Sequence, residues 1–325
     1  MNCQRSIASL AAMMLALILA VGSATARPRI AFLSLGAAQE GAPLVAAFAD
    51  GLRRLGYVEG RNVDIDHRYA AGDVAQLKLL AQELITLKPD IVVASEPSAA
   101  RTFKGVAPTL PIVCFALTDA LIPDLIGSYP HPGGNVTGMA SSVEGVTGKL
   151  VEVALEITPG AVRIGFLSNP AGASMRLFAQ SVDAAAGARG IAVLTADATT
   201  PGELAPAFDR FNKQGVQAVI VPANGLFRVQ RAQLAQLALA ARLPTISAER
   251  QYVEGGLLAS YGINERENYR RGASYVDRIL KGAKAGDLPV EFPTTIELTI
   301  NLGTAKAMGL DLPPTLVTRA DEVIE

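Results

Sequence analysis

Polar side chains follow most of the strand-like runs in this sequence, at positions where a small solute could bind. In the first half of the chain these residues are Ser34, Gln39, Glu96, Ser98, Thr118 and Asp119. In the second half they are Ser168, Asn169, Asn224, Phe227, Glu249 and Tyr261. Hydroxyl groups and backbone N–H groups suit a carboxylate, whereas Asp119 or Glu249 suits an ammonium group. The set predicts a site for a small zwitterion or another polar solute.

These residues also have alternative interpretations as parts of an ordinary fold. Ser98 and Asn169 could cap helices, a position that favours Ser and Asn. Asp119 and Glu249 could be solvated loop carboxylates, and Phe227 and Tyr261 could pack at a hinge. The site interpretation depends on the whole set, because closure of two facing rims would bury these groups together.

The sequence carries no recognisable catalytic or metal-binding motif. It has two histidines, His67 and His131, and it lacks the motifs GxSxG, CxxC and HExxH. Cys114 lies in the apolar run LPIVCFAL, so we interpret it as a buried, unreactive thiol. The stretch PGGNVTG at 132–138 does not have the glycine spacing of a dinucleotide-binding loop. We therefore expect a protein that is not an enzyme and that uses no metal and no cofactor.

Charge and the first residues of the chain indicate where the protein acts. With 29 basic and 30 acidic side chains, the sequence offers no electrostatic attraction to nucleic acid. Residues 1–26 predict a cleavable signal peptide, with Arg5, an apolar run and the small residues Ala24-Thr25-Ala26 at its end. An uncleaved membrane anchor is the alternative. Cleavage after Ala26 would remove Cys3 and place the mature protein in the periplasm without an intramolecular disulfide.

Strand-like and helix-like segments alternate after the signal, which predicts parallel sheets with helices on both faces. The strand-like runs of the first half are 29–34, 62–70, 90–95 and 111–117, and the helix-like stretches are 43–57, 74–88 and 98–107. The pattern then begins again, because RIAFLS at 29–34 returns as RIGFLS at 163–168. Strand-like runs at 191–196, 218–222 and 244–248 follow, with helices near 173–188, 201–213 and 228–241.

The last third of the chain predicts a return to the first lobe. A strand-like run at 255–262 precedes a strong helix at 267–282, and the second sheet is by then complete. We expect two Rossmann-like, doubly wound lobes joined by a hinge of three crossings. The N-terminal lobe would comprise residues 27–142 plus 262–290, and the C-terminal lobe would comprise 143–261 plus 291–325.

Several long segments resemble a known family. They are LGYVEGRNVDIDHRYAAGD, PGGNVTG, YRRGASYVDRILKGAKAGDLPVEFPTTIELTINLGTAKAMGL and the closing PPTLVTRADEVIE. They resemble the ABC-transporter substrate-binding proteins of the tryptophan/tyrosine-binding type, along essentially the whole mature chain. The resemblance implies a type I periplasmic binding fold and delivery of a small solute, such as an amino acid, to a membrane permease and its ATPase. We expect the protein to be a monomer.

Three loops depart from the family's usual pattern. The loop after the third strand is SEPSA at 95–99 where relatives have Gly-Thr-Pro, and the next is LTDAL at 117–121 where they have Gly-Asp-Pro. NGLF at 224–227 stands where relatives have Asp-Pro-Leu-Phe. These changes predict a ligand other than tryptophan and a pocket of altered charge. A ligand sensor that docks on a membrane receptor is the alternative function, followed by an enzyme on the same scaffold.

Overall fold

Two β-sheets organise the chain, one for each half of the internal repeat. The computed structural model describes residues 27–117, 122–141, 145–170 and 175–325. The predicted signal peptide lies outside the described residues. Among the residues that are described, no helix has both the length and the apolar content needed to cross a membrane.

The first sheet is five-stranded and parallel, in the order β2-β1-β3-β4-β5. Its strands are β1 (Arg29–Ser34), β2 (Asp64–Tyr69), β3 (Ile91–Ala94), β4 (Ile112–Leu117) and β5 (Val136–Ala140). The helices between them are α1 (Ala38–Arg54), α2 (Val74–Thr86), α3 (Pro97–Val106) and the short α4 (Ile122–Leu125). This order is that of a doubly wound nucleotide-binding-type fold, in which the crevice lies beyond the carboxyl ends of the strands.

Helix α1 begins earlier than the sequence predicts. The predicted start was Pro43, but the helix begins at Ala38 and continues through the proline. Because proline has no N–H, the helix loses one backbone hydrogen bond there. The early start brings Gln39 and Glu40 onto the first turn of the helix, at the same end of the sheet as the carboxyl ends of the strands.

The second sheet repeats the topology of the first and extends it. Its order is β12-β11-β10-β9-β8-β6-β7, so β7-β6-β8-β9-β10 corresponds to β2-β1-β3-β4-β5. Its strands are β6 (Arg163–Ser168), β7 (Ala192–Asp197), β8 (Ala218–Val221), β9 (Thr245–Ser247), β10 (Ala259–Ile263), β11 (Ile296–Asn301) and β12 (Glu322–Ile324). The two similar six-residue segments therefore form equivalent strands, as the sequence predicts.

Helices cover both faces of the second sheet. They are α5 (Val146–Ile157), α6 (Met175–Gly187), α7 (Leu204–Lys213, after a 3₁₀ turn at Pro201–Glu203), α8 (Gly225–Val229), α9 (Arg231–Ala241), α10 (Arg250–Glu254), α12 (Leu302–Met308) and α13 (Pro314–Arg319). The remaining helix, α11 (Glu265–Leu280), is followed by a 3₁₀ turn at Ala285–Asp287. The two-sided cover explains why the central strands are apolar on both faces.

The expectation of purely parallel sheets is wrong at one edge. Strand β11 pairs with β10 in the antiparallel sense, and β12 pairs in parallel with β11. The chain enters β11 directly after its last crossing from the first lobe, so it runs from the hinge outward. Alternation of helices and strands does not carry this information, because a returning segment is not preceded by an ordinary βαβ crossover.

Three chain segments connect the lobes. The first lies between β5 and α5, the second between β10 and α11, and the third between the bridge of Met139 with Glu291 and strand β11. The second and third crossings are joined, because the Asn264 N–H donates to the Thr295 carbonyl with an N–O distance of 3.0 Å. Several connected crossings restrict the lobes to a hinge motion.

Helix α11 returns to the first lobe and packs closely against α1. Gly51 of α1 makes this approach possible, because an added Cβ would stand 2.3 Å from the Arg270 carbonyl oxygen and 2.8 Å from the Ala273 Cβ. Ala273, Val276 and Phe48 are all completely buried in the same core cluster. The predicted return of the helix is therefore observed, and it depends on a glycine at the contact.

We expect Gly51→Ala to lower the free energy of unfolding by about 1–3 kcal/mol, because overpacking forces the two helices apart. Gly41→Ala is the matched control in the same helix, since a Cβ at Gly41 would meet nothing within 4 Å. That variant should be neutral or more stable by up to about 1 kcal/mol. Urea unfolding followed by circular dichroism measures both, and equal stability of the two variants would contradict the close packing of α1 on α11.

Candidate functional site

The ends of β1 and β3 lie side by side, and Glu96 connects them. Its Oε1 accepts a hydrogen bond from the Leu35 N–H at 2.8 Å. Its Oε2 accepts from the Ser34 hydroxyl at 3.4 Å and from the Ser95 hydroxyl. Burial raises the pKa of Glu96, and these hydrogen bonds act in the opposite direction because they stabilise the charged form. Glu96 therefore anchors the loop that follows the first strand.

Ser98 and Gln39 have different surroundings. Ser98 is the second residue of α3, whose N-cap is Glu96, so the alternative of a capping role is wrong. Its Oγ is buried and has no hydrogen-bond partner among the described residues. Gln39, in the first turn of α1, is exposed. Thr118 and Asp119 lie outside the described residues.

In the second lobe, Asn169 and Asn224 come together. Ser168 and Asn169 are buried at the end of β6. The Asn169 Nδ2 donates to the Asn224 Oδ1 at 3.3 Å, and the same oxygen caps α8 by accepting from the Leu226 N–H at 2.9 Å. These amides are held rigidly at the carboxyl end of the second sheet.

Phe227, which the sequence predicts to contact the solute, lies in the core of the second lobe instead. Its side chain is completely buried in an apolar cluster of the second lobe that also contains Tyr252. It occupies the third position of α8, which begins at Gly225, and this turn directs it into the core. Tyr261, on β10, is half-buried and packs against the other apolar cluster of this lobe. Both residues fit the alternative of ordinary packing, and Phe227 has no surface open to a solute.

Arg228 is the main residue that the sequence analysis missed. It directly follows Phe227, and its guanidinium binds Glu249 through two hydrogen bonds, from Nε at 3.1 Å and from Nη2 at 2.6 Å. The negative charge of Glu249 raises the pKa of Arg228 further above its usual value. The signal available in the sequence was the basic residue directly after NGLF. Strands β8 and β9 are neighbours, so the segment after β8, with Arg228, meets the segment after β9, with Glu249.

Glu265 is a second residue that the sequence analysis missed, and it lies at the second crossing. It is the first residue of α11, and its Oε2 accepts from the Gln251 Nε2 at 3.0 Å. Burial, together with the charge of Glu249, raises the pKa of Glu265 to about 7 against the opposing effect of Arg228. The carboxyl of Glu265 therefore lies close enough to the Arg228–Glu249 pair of the second lobe to interact with both charges.

Two buried tyrosines stand beside these charges. Tyr252 donates from its hydroxyl to the carbonyl oxygens of Pro222 and Asn224, each at 3.3 Å. Tyr269 of α11 lies close to Glu96 and Glu265, and burial together with both charges raises its pKa well above the usual value. Both hydroxyls therefore stay protonated and remain hydrogen-bond donors at neutral pH.

The polar groups of the two lobes approach each other across the cleft. Burial raises the pKa of Glu96 in the first lobe, and the guanidinium of Arg228 in the second lobe opposes this rise. At the rim, Arg231 of α9 donates from Nη1 to the Glu40 Oε1 of α1 at 3.2 Å. The structure therefore places Ser34 and Glu96 at the carboxyl ends of the first sheet and Asn169, Asn224 and Glu249 at those of the second, with Arg228 and Glu265 close to the charged groups.

The described residues contain no arrangement suited to metal or thiol chemistry. No group of three His, Cys, Asp or Glu side chains in this part of the chain could hold a metal ion. Cys114 is completely buried, and burial raises the pKa of its thiol to about 12, which confirms the interpretation of an unreactive thiol. His67 on β2 is separated from Cys114 by two intervening strands.

Comparisons with known proteins agree on one family and one fold. Residues 40–324 match the sequence profile of the ABC transporter substrate binding protein family. The tyrosine-binding protein of Clostridioides difficile is 27% identical over 264 residues, which are 81% of this chain and 75% of that protein.

Two solved structures extend the likeness to three dimensions. A conserved domain protein from Vibrio cholerae has a TM-score of 0.81 and 26% identity, and the match covers 91% of this chain and 99% of the other. The ABC domain from Streptococcus pneumonia in complex with L-Trp also has a TM-score of 0.81, with 25% identity over 92% of this chain and 100% of the other.

We expect the raised pKa of Glu265 to make the protein less stable as the pH rises. Between about pH 4.5 and 7 the folded state binds a proton that the unfolded state has released, so stability falls through this range. Glu265→Gln removes this proton linkage and can still accept from Gln251. Relative to the unmodified protein, it should gain about 1–3 kcal/mol at pH 8 and much less at pH 5.

The measurement is urea unfolding at pH 5, 6, 7 and 8. Glu83→Gln is the control, because Arg68 lowers the pKa of Glu83 and its pH dependence should have the opposite sign. A gain for Glu265→Gln that is the same at pH 5 and pH 8 would contradict the raised pKa.

Proposed function

The chain belongs to the ABC transporter substrate-binding protein family, and on that basis we propose that it captures an amino-acid-like or other small polar solute in its inter-lobe cleft. It then delivers the solute to the permease and ATPase of an ABC importer. The protein binds its solute without chemical turnover, acts as a monomer and needs no cofactor.

The observation that carries this proposal is the meeting of polar groups from the carboxyl ends of both sheets. Glu96 of the first lobe and Arg228 of the second lie within each other's electrostatic field, and the Glu40–Arg231 pair spans the rim above them. A solute between the lobes would be contacted from both sides. Binding would then favour the closed arrangement, because only that arrangement makes all the contacts.

The relatives support the class of solute. A tyrosine-binding protein and a structure in complex with L-Trp are among the similar proteins, and they support an amino-acid-like molecule as the class of solute. The altered loops at 95–99 and 224–227 support a ligand other than tryptophan. The proposed site comprises Ser34, Gln39, Glu96, Ser98, Thr118, Asp119, Ser168, Asn169, Asn224, Glu249 and Tyr261, to which we add Arg228 and Glu265.

The proposed location is the periplasm. Residues 1–26 have the charge, apolar run and small residues of a signal peptide, and members of this family work outside the cytoplasm. The proposed lobes, 27–142 plus 262–290 and 143–261 plus 291–325, are supported by the packing of α11 on α1 and β4 of the first lobe.

We expect a panel of amino acids, aromatic acids, amines and sugars to contain solutes that stabilise the protein. A solute at one hundred times its dissociation constant should raise the free energy of unfolding by about 2.7 kcal/mol. Thermal shift measures this, and small-angle X-ray scattering should show a smaller radius of gyration when the stabilising solute is present. Absence of any stabilisation, or conversion of a solute into a product, would contradict the proposed function.

The rim pair Glu40–Arg231 should contribute to closure. Both side chains are about one-third exposed, so Glu40→Gln should weaken binding of the best solute of that panel about two- to fivefold. Glu156→Gln is the matched control, because Glu156 pairs with Arg319 at 2.9 Å entirely within the second lobe. Isothermal titration measures both dissociation constants. An equal effect of the two variants would show that the rim pair has no special role in closure.

A further inference from the structure

The carboxylate of Glu96 already occupies hydrogen-bond donors that could bind a carboxylate of the solute. The Leu35 N–H and the hydroxyls of Ser34 and Ser95 all donate to it. These groups lie at the carboxyl ends of β1 and β3, the edge of a parallel α/β sheet where backbone N–H groups commonly bind a ligand. An incoming carboxylate would have to displace Glu96 or bind without these donors.

The guanidinium of the cleft is occupied as well. Arg228 is held by Glu249 through two hydrogen bonds, which is the geometry that satisfies an arginine best. Other arginines near the cleft are also paired, Arg231 with Glu40, Arg250 with Glu322 and Arg266 with Glu254. Within the described part of the cleft, each of these arginines is thus already matched by a carboxylate of the protein.

The charge balance around the cleft points in the same direction. Among the described residues, Arg228 is paired with Glu249 and also interacts with Glu96, while Glu265, whose pKa is raised to about 7, is partly protonated at neutral pH, so about one negative charge stays unmatched. The three internal segments outside the described residues add no basic side chain, because 118–121 reads TDAL, 142–144 reads SVE and 171–174 reads AGAS. A further buried carboxylate would be repelled and would lose its hydration without a new partner.

We propose that the cleft selects solutes recognised through an ammonium group and lacking a free carboxylate, with Glu96 taking the place of the carboxylate that an amino acid would bring. The proposal rests on the proposed function and narrows its substrate class to primary amines. An ammonium group would restore the charge balance of the cleft, and the unpartnered Ser98 Oγ, two residues after Glu96, offers a further acceptor.

The test compares amino acids with the amines that differ from them only by the missing carboxylate. The pairs are tyrosine and tyramine, tryptophan and tryptamine, phenylalanine and phenethylamine, leucine and isoamylamine, and lysine and cadaverine. Isothermal titration of the purified protein should give at least one amine a dissociation constant about tenfold or more below that of its amino acid. Arabinose and glucose complete the panel as uncharged solutes.

Two substitutions at Glu96 distinguish the effect of its negative charge from the effect of its hydrogen bonds with Ser34, Leu35 and Ser95. Glu96→Ala frees the Leu35 N–H and both serine hydroxyls, so the preference for the amine over its amino acid should shrink by about tenfold or invert. Glu96→Gln still accepts from Leu35 but carries no charge, so it should weaken amine binding without a gain for the amino acid. Glu83→Gln, an exposed carboxylate on α2, should change neither affinity. Circular dichroism confirms that each variant is folded.

The outcomes distinguish this inference from the function on which it rests. If no amine of the panel binds more tightly than its amino acid although an amino acid binds, the inference is overturned, while capture of a solute would stand. Tight binding of a sugar alone would have the same consequence. An amine preference that is unchanged in Glu96→Ala would also overturn the assigned role of Glu96. Failure of all these solutes and of the wider panel to bind would overturn both proposals.

Discussion

The packing of helix α11 against α1 is the constraint on which the two-lobed arrangement depends. This helix follows ten strands, yet it lies on the first sheet, so the chain must leave the second lobe and return to it. Gly51 on α1 allows the two helices to approach closely, and Gly272 on α11 lets the same helix approach the first sheet, because a Cβ at Gly272 would stand 2.2 Å from the ring of Phe115 on β4. The crossings, and with them the hinge, follow from this one helix–helix contact.

The same helix determines the electrostatics of the cleft. Its first residue, Glu265, stands at a helix N-terminus, a position that favours a carboxylate. Burial and the neighbouring charge of Glu249 outweigh this effect and raise the pKa to about 7. Tyr269, one turn further along, lies beside both Glu265 and Glu96. A helix that completes the first lobe therefore also supplies part of the floor between the lobes.

The sequence predicted the scaffold well because the scaffold is local and periodic. RIAFLS and RIGFLS form equivalent strands, and consecutive residues such as Ile30 and Ala31 enter opposite core clusters, as a sheet covered on both faces requires. The antiparallel β11 was missed because strand direction depends on where the chain returns. Phe227 was expected in a loop after a strand, but it lies in the first turn of α8, and this turn directs its side chain into the core.

The charged site could be predicted only in part, since ion pairing and burial are properties of the assembled lobes. Glu96 and Glu249 are visible in the sequence as carboxylates after strands, but nothing local shows that one binds the loop after β1 and the other binds Arg228. Backbone N–H groups at strand ends need a partner once water is excluded, whether from a solute or from the protein. In this chain the SEPSA loop supplies that partner internally. A change of a few loop residues can thus decide which hydrogen-bond donors stay free for a solute while the sheets beneath them stay the same.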